Sequence, residues 1–215
     1  MRAFILAVVV LTAAGAEADD KACLGCHAVI QTILSKSNAH PAMALGCQPC
    51  HTDHTQSAAA GPAHHLKSPP QELCVTCHPE KTKKEFVHEP AKRECTICHS
   101  PHEGLKDGLR AQSNALCLEC HSDASKSKFE TSGPVKLFDG HVTLPAQYFG
   151  SLPLLALQND RGHPVSNHPV LREQDTEWPA VSCTVCHDPH GADKSAALLV
   201  TETLDFVDLC QRCHK

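Results

Sequence analysis

A chain of 215 residues is long enough for one or two ordinary domains, yet only 4% of it is aromatic, and 11 Gly and 15 Pro break up its apolar sequence. A conventional hydrophobic core is therefore poorly supplied. The formal charge of −5 argues against a nucleic-acid partner, and no phosphate loop or Ser/His/Asp spacing points to catalysis.

The N-terminus comes first. Met1-Arg2, the apolar run Phe4 to Ala14 and the small-x-small triplet Ala16-Glu17-Ala18 predict a cleaved export signal over residues 1–18. The run is short for a membrane anchor. Residues 19–39 hold a single Cys-x-x-Cys-His motif, formed by Cys23, Cys26 and His27. Residues 40–87 hold two, Cys47, Cys50, His51 and Cys74, Cys77, His78, with His40 upstream. Residues 88–121 repeat the arrangement with His88, then Cys95, Cys98, His99 and Cys117, Cys120, His121. Residues 122–162 form an insertion rich in aromatics, among them Phe129, Phe138, Tyr148 and Phe149, in a polar stretch that runs on past Trp178. It reads either as a cap over exposed cofactor edges or as a partner surface. Residues 163–215 carry His163 and His168, then Cys183, Cys186, His187 and Cys210, Cys213, His214.

The motifs are of two kinds. Those at Cys47, Cys95 and Cys183 continue to a further histidine, His54, His102 and His190, and so read Cys-x-x-Cys-His-x-x-His. Each extended motif is followed by a plain one, which gives three two-motif modules behind a lone first motif.

All 14 cysteines are used by these motifs, whereas roughly 0.1 such runs would arise by chance at these Cys and His frequencies. The spacing fits covalent haem c: two thiols form thioethers with the haem vinyl groups, and the adjacent histidine ligates the iron. Zinc sites and disulfides explain the cysteines but not the histidine that always follows. The expectation is seven haems, with roughly 28 residues available for each, too few to bury a macrocycle in its own domain. The fold class expected is a mostly irregular chain with short α-helices, cored by an elongated series of stacked haems. Short helices should carry the motifs, one of them beginning near Ser68-Pro69-Pro70 with Ser68 as cap.

Ligand supply favours two histidines per iron. Ten histidines lie outside the motifs, and the methionines are only Met1 and Met43. A histidine three residues after the proximal one would share its helix face and could not reach the far side of the same porphyrin. His54, His102 and His190 are therefore expected to serve neighbouring haems, with His40, His88 and His168 as the other distal ligands. The first haem takes its ligand from His64, His65, His141 or His163.

The third module, with Gly162-His163-Pro164-Val165, Asn167-His168-Pro169-Val170, Cys183-Thr184-Val185-Cys186-His187-Asp188-Pro189-His190 and Leu209-Cys210, resembles the doubled-CXXCH cytochromes of anaerobically respiring bacteria. The resemblance covers most of the chain, although the first module has Thr52-Asp53 where the family carries a proline before His54. It implies low-potential, bis-histidine haems in a wire, export to the periplasm or outer surface, and His163 as ligand of the first haem. It also implies electron carriage between a quinol-oxidising membrane complex, other multihaem cytochromes and a terminal reductase. Two other expectations remain open: a homopolymeric extracellular haem wire, and a reductase of a small nitrogen or sulfur oxyanion. Lys81, Lys83 and Lys84 form a small basic patch that reads as a solvated turn or as an acidic partner's docking point.

Overall fold

The computed structural model describes residues 17–36, 39–52, 65–157, 162–171, 180–201 and 206–214. Most of the expected signal segment, together with His54, His64 and Trp178, lies outside the described residues.

Helices are short. They are α1 (Glu17–Cys26), α2 (Ala28–Leu34), α3 (Pro70–Cys77), α4 (Glu89–Arg93), α5 (Ser113–His121), α6 (Lys126–Phe129) and α7 (Phe206–Gln211). Among the described residues no helix is long and apolar enough to cross a membrane. Among the described residues, four strands form two antiparallel pairs. β1 (Phe86–Val87) pairs with β4 (Gly191–Ala192), Phe86 opposite Ala192. β2 (Val135–Leu137) pairs with β3 (Val142–Leu144), Val135 opposite Leu144. Turns and irregular backbone make up the rest, so the chain is mostly irregular with short helices and small sheets.

Local sequence explains where helices start and stop. Pro70 occupies the first turn of α3, where its missing N–H costs no hydrogen bond. The cap is Pro69, not the expected Ser68, and no side chain bonds the free N–H groups. The helix ends at His78, followed by Pro79, which opens a separate 3-10 turn. Helices carry the plain motifs, in α1, α3, α5 and α7. The extended motifs depart from expectation: Cys95–Ile97 and Cys183–Val185 are single 3-10 turns, and Cys47 to Cys50 is a bend and turn.

Contacts between distant segments are polar and specific. Asn114 on α5 donates to the carbonyls of Val170 (2.7 Å) and Val181 (2.8 Å) and accepts from the Cys183 N–H (2.9 Å), tying the second module to the third. Gln71 on α3 donates to the Ala91 carbonyl at 2.9 Å and joins the first module to the second. The β1–β4 pair brings the first module to the third. Glycine is required there, because a Cβ on Gly191 would lie 2.6 Å from the Phe86 carbonyl oxygen.

Among the described residues, buried apolar side chains are few. Val135, Leu137 and Val142 form one cluster with Phe129, Phe138, Leu144, Ala146 and Phe149, and it packs on Cys120. The other buried apolar residues, Ile33, Ile97, Val170 and Ala192, stand outside that cluster.

Candidate haem-binding site

Each Cys-x-x-Cys-His motif closes one turn of backbone. The histidine N–H donates to the first cysteine's carbonyl in the motifs of His27, His51, His78, His99, His187 and His214, at 2.9–3.0 Å. That turn puts two thiols and an imidazole, spaced i, i+3 and i+4, on one side of the chain. No disulfide joins any of the 14 cysteines.

The extended motifs share a feature that no motif spacing announced. After each one the chain returns and closes the same knot around the proximal histidine. His51 bridges Leu66, His99 bridges Leu109 and His187 bridges Leu199. In all three, the N–H after the histidine donates to the residue before the leucine: Thr52 to His65 (2.6 Å), Ser100 to Gly108 (2.7 Å) and Asp188 to Leu198 (2.8 Å). The residue after the leucine donates to the second cysteine's carbonyl: Lys67 to Cys50, Arg110 to Cys98 and Val200 to Cys186, each at 2.9 Å. The residue before the leucine has positive φ every time, 42° at His65, 70° at Gly108 and 58° at Leu198. The first module thus keeps the knot despite its Thr52-Asp53 departure.

These straps also bring carbonyls to the rings. Nδ1 of His99 lies 3.2 Å from the Asp107 carbonyl oxygen and that of His187 lies 2.7 Å from the oxygen of Ala197. At His121 the insertion does the same job through the Pro153 oxygen, at 2.8 Å. His88 Nδ1 lies 2.9 Å from the Pro189 oxygen. A carbonyl only accepts, so Nδ1 carries the proton and the Nε2 lone pair is left for a metal. At His40 and His163 the N–H groups of Ala42 and Val165 point at Nδ1 instead, both at 3.2 Å, so these rings cap turns; Nε2 then carries the proton, and binding iron through Nε2 would require the cap to open and the proton to move to Nδ1.

Among the described residues, six proximal histidines face a second imidazole. Ring centres are 6.2 Å apart for His40 and His78, 5.9 Å for His51 and His102, and 6.0 Å for His88 and His121. They are 6.0 Å apart for His99 and His190, 6.3 Å for His163 and His187, and 5.8 Å for His168 and His214. Two metal–nitrogen bonds of about 2 Å, plus the ring radii, put trans imidazole ligands about 6 Å apart between centres. The donor set therefore fits a metalloporphyrin iron held from both faces.

Several sequence expectations meet this geometry. His102 and His190 stand beside proximal histidines of other modules, though for a different reason than a shared helix face, since the extended motifs are not helical. His40, His88 and His168 face the plain-motif histidines of their own modules. His163 is a correction: its ring faces His187, not His27. His54 lies outside the described residues, and His141 is on a turn of the insertion.

Thiol positions relate one motif to the next. Cys74 lies beside Cys95, whose thiol donates to Gln71 Oε1 at 2.9 Å; interaction with Cys95, with burial, pushes the Cys74 thiol far up, while the same interaction draws Cys95 down to about 7. Cys117 and Cys183 interact in the same way, with Cys183 likewise down at about 7. As thioethers these sulfurs would no longer titrate, and the residues that would hold one haem stand beside those that would hold the next. Burial is the main cause pushing the imidazoles of His88, His99, His163 and His190 below the usual histidine value, which favours the neutral form that binds metals.

The family model of the doubled CXXCH motif matches residues 88–126 and 168–215. The multihaem cytochrome MtrA of Shewanella baltica is 30% identical over 127 residues, covering 56% of this chain and 37% of that protein. The C-type polyheme cytochrome OmcB of Geobacter sulfurreducens is 25% identical over 217 residues, 91% of this chain and 25% of its own length. A high-molecular-weight cytochrome c of Nitratidesulfovibrio vulgaris is 27% identical over 141 residues, 56% of this chain and 25% of that protein. The chain spans between a quarter and 37% of the length of these relatives.

Proposed function

Because this chain carries the doubled CXXCH motif of multihaem cytochromes, we propose that it is a seven-haem electron carrier whose irons are each held between two histidines. The six imidazole pairs at 5.8–6.3 Å carry this reading. Two strong axial nitrogens stabilise the ferric state and leave no open coordination position, which suits outer-sphere electron transfer better than substrate reduction.

Cys23, Cys26, Cys47, Cys50, Cys74, Cys77, Cys95, Cys98, Cys117, Cys120, Cys183, Cys186, Cys210 and Cys213 would form the thioethers. His27, His51, His78, His99, His121, His187 and His214 would be the proximal ligands, and His40, His88, His102, His163, His168 and His190 the distal ones. The extended-motif histidine of one module serves the extended-motif haem of the module before it. Extending that rule by one step assigns His54 to the lone first haem at His27.

The contacts between Cys74 and Cys95 and between Cys117 and Cys183 support haems three and four, and five and six, as edge-to-edge neighbours. The backbone bond from His88 to His190 (3.0 Å) supports four beside five, and that from His163 to His168 (2.8 Å) six beside seven. Such a series would relay electrons between an exported donor, such as a quinol-oxidising complex, and another multihaem cytochrome or a terminal reductase.

Intact-mass haem counting, combined with electron paramagnetic resonance of the oxidised protein, tests this. The expected result is seven haems, all low-spin. The His40–His78 pair, with ring planes at 85°, should give a more anisotropic signal than the other five pairs, which lie at 9–36°. A high-spin haem that changes on adding nitrite or sulfite would sink the carrier reading in favour of a reductase.

A further inference from the structure

The straps do more than close loops. The residue before the strap leucine has left-handed backbone in all three extended motifs, and at Leu198 this is a bulky side chain at φ 58°. Such a conformation is unfavourable for a non-glycine residue and persists only where its surroundings impose it. In the second strap the close approach is enforced differently: a Cβ on Gly104 would lie 2.3 Å from the Gly108 Cα. Both straps deliver a carbonyl to the ring nitrogen remote from the proposed iron, from Ala197 to His187 and from Asp107 to His99. Pro153 of the insertion delivers one to His121. Among the described residues, no such carbonyl contact is made by the rings of His78 and His214, which belong to plain motifs.

We propose that Asp107, Pro153 and Ala197 act as positioning residues that divide the haems into two redox classes. Haems on His99, His121 and His187 are harder to reduce than those on His78 and His214. A carbonyl that draws on the Nδ1 proton shifts electron density toward Nε2, strengthens its donation to iron and favours Fe(III) over Fe(II). In the third module a held haem then stands directly beside an unheld one, so an electron reaching that pair settles on the haem of His214. This inference rests on the haem reading above.

The test uses the haem-loaded protein. Leu198→Gly keeps the left-handed conformation accessible, whereas Leu198→Pro fixes φ near −65° and removes the strap geometry. In a spectroelectrochemical titration, Leu198→Pro should ease the reduction of one haem, raising its reduction equilibrium constant about three- to tenfold, or roughly 30–60 mV for one electron. Leu198→Gly should leave every transition in place. In reduced protein labelled at histidine nitrogens, the Nδ1 proton of His187 should exchange with solvent much more slowly than that of His214. A fully loaded Leu198→Pro variant with unmoved potentials overturns the proposal. So does equally fast exchange at His187 and His214 in the unmutated protein, a measurement that decides even if Leu198→Pro fails to assemble. A haem count below seven in the unmutated chain counts instead against the functional reading.

Discussion

Residues 122–157 and the rest of the described chain are built on different physical terms. The insertion has a small protein core, with Val135, Leu137 and Val142 buried together and Phe129 stacked on Phe149 at 4.4 Å. In the motif-bearing framework the buried apolar residues, Ile33, Ile97, Val170 and Ala192, form no such cluster. Its order comes from backbone knots, from side chains such as Asn114 and Gln71, and from rings that face each other across a gap of iron-ligand width. One region can hold itself together by burying side chains. The other, on the haem reading, would draw on porphyrins for the apolar surface that its sequence lacks.

The comparison can be broken most forcefully by withholding a haem. Replacing Cys95 and Cys98 by Ala should strip hydrogen-exchange protection from the β1–β4 pair and from the strap at Leu109. Protection of the β2–β3 amides should fall by less than about tenfold, or 1.4 kcal/mol. Equal losses in both regions would show that the insertion has no independent stability. The reciprocal change is Leu137→Ala, which removes a fully buried side chain and should cost about 2–5 kcal/mol. Thermal melts and exchange should locate that loss in the insertion, with the haem count by mass unchanged. Gly191→Ala probes the framework without touching a motif. The Cβ clash with the Phe86 carbonyl should cost about 1–3 kcal/mol, seen as loss of protection at His88, whose N–H donates to the His190 carbonyl. The smallest effect is expected where the two regions meet. Arg93 on α4 lies 4.0 Å over the Tyr148 ring of the insertion, and Arg93→Ala should cost about 0.5–1 kcal/mol by chemical denaturation. Tyr148→Phe should keep most of that contact.

The sequence made the covalent chemistry legible because thioether attachment demands fixed local spacing. A cysteine pair and a histidine within one turn can be read without knowing any tertiary contact. That His102 and His190 look beyond their own motifs is expected from the sequence only on a shared helix face, a premise the 3-10 turns of these motifs do not meet. The straps were not legible. Leu66, Leu109 and Leu199 follow their proximal histidines at unequal intervals, and the turn that unites them is left-handed at three unrelated residues, His65, Gly108 and Leu198. A backbone conformation shared by His, Gly and Leu leaves no residue signature. His163 was misplaced for a similar reason: proximity to His187 depends on how the chain returns through Gly162 and Pro169, which bridge each other, and no local pattern records that return. The role of the insertion was half visible. Its aromatics left a cap and a partner surface open, whereas Phe129, Phe138 and Phe149 pack into the insertion's own cluster, and the backbone oxygen of Pro153 beside His121 has no side-chain trace.

The crossed histidines have a consequence for how the protein is made. His51 faces His102, and His99 faces His190, so in each case the second ring belongs to a later module. A chain that emerges N-terminus first would attach a haem well before its second ligand exists outside the membrane. The haems on His51 and His99 would wait half-ligated for the module behind them, and the arrival of that module would close the iron against adventitious ligands. Maturation would then be retroactive, every module finishing the one that preceded it.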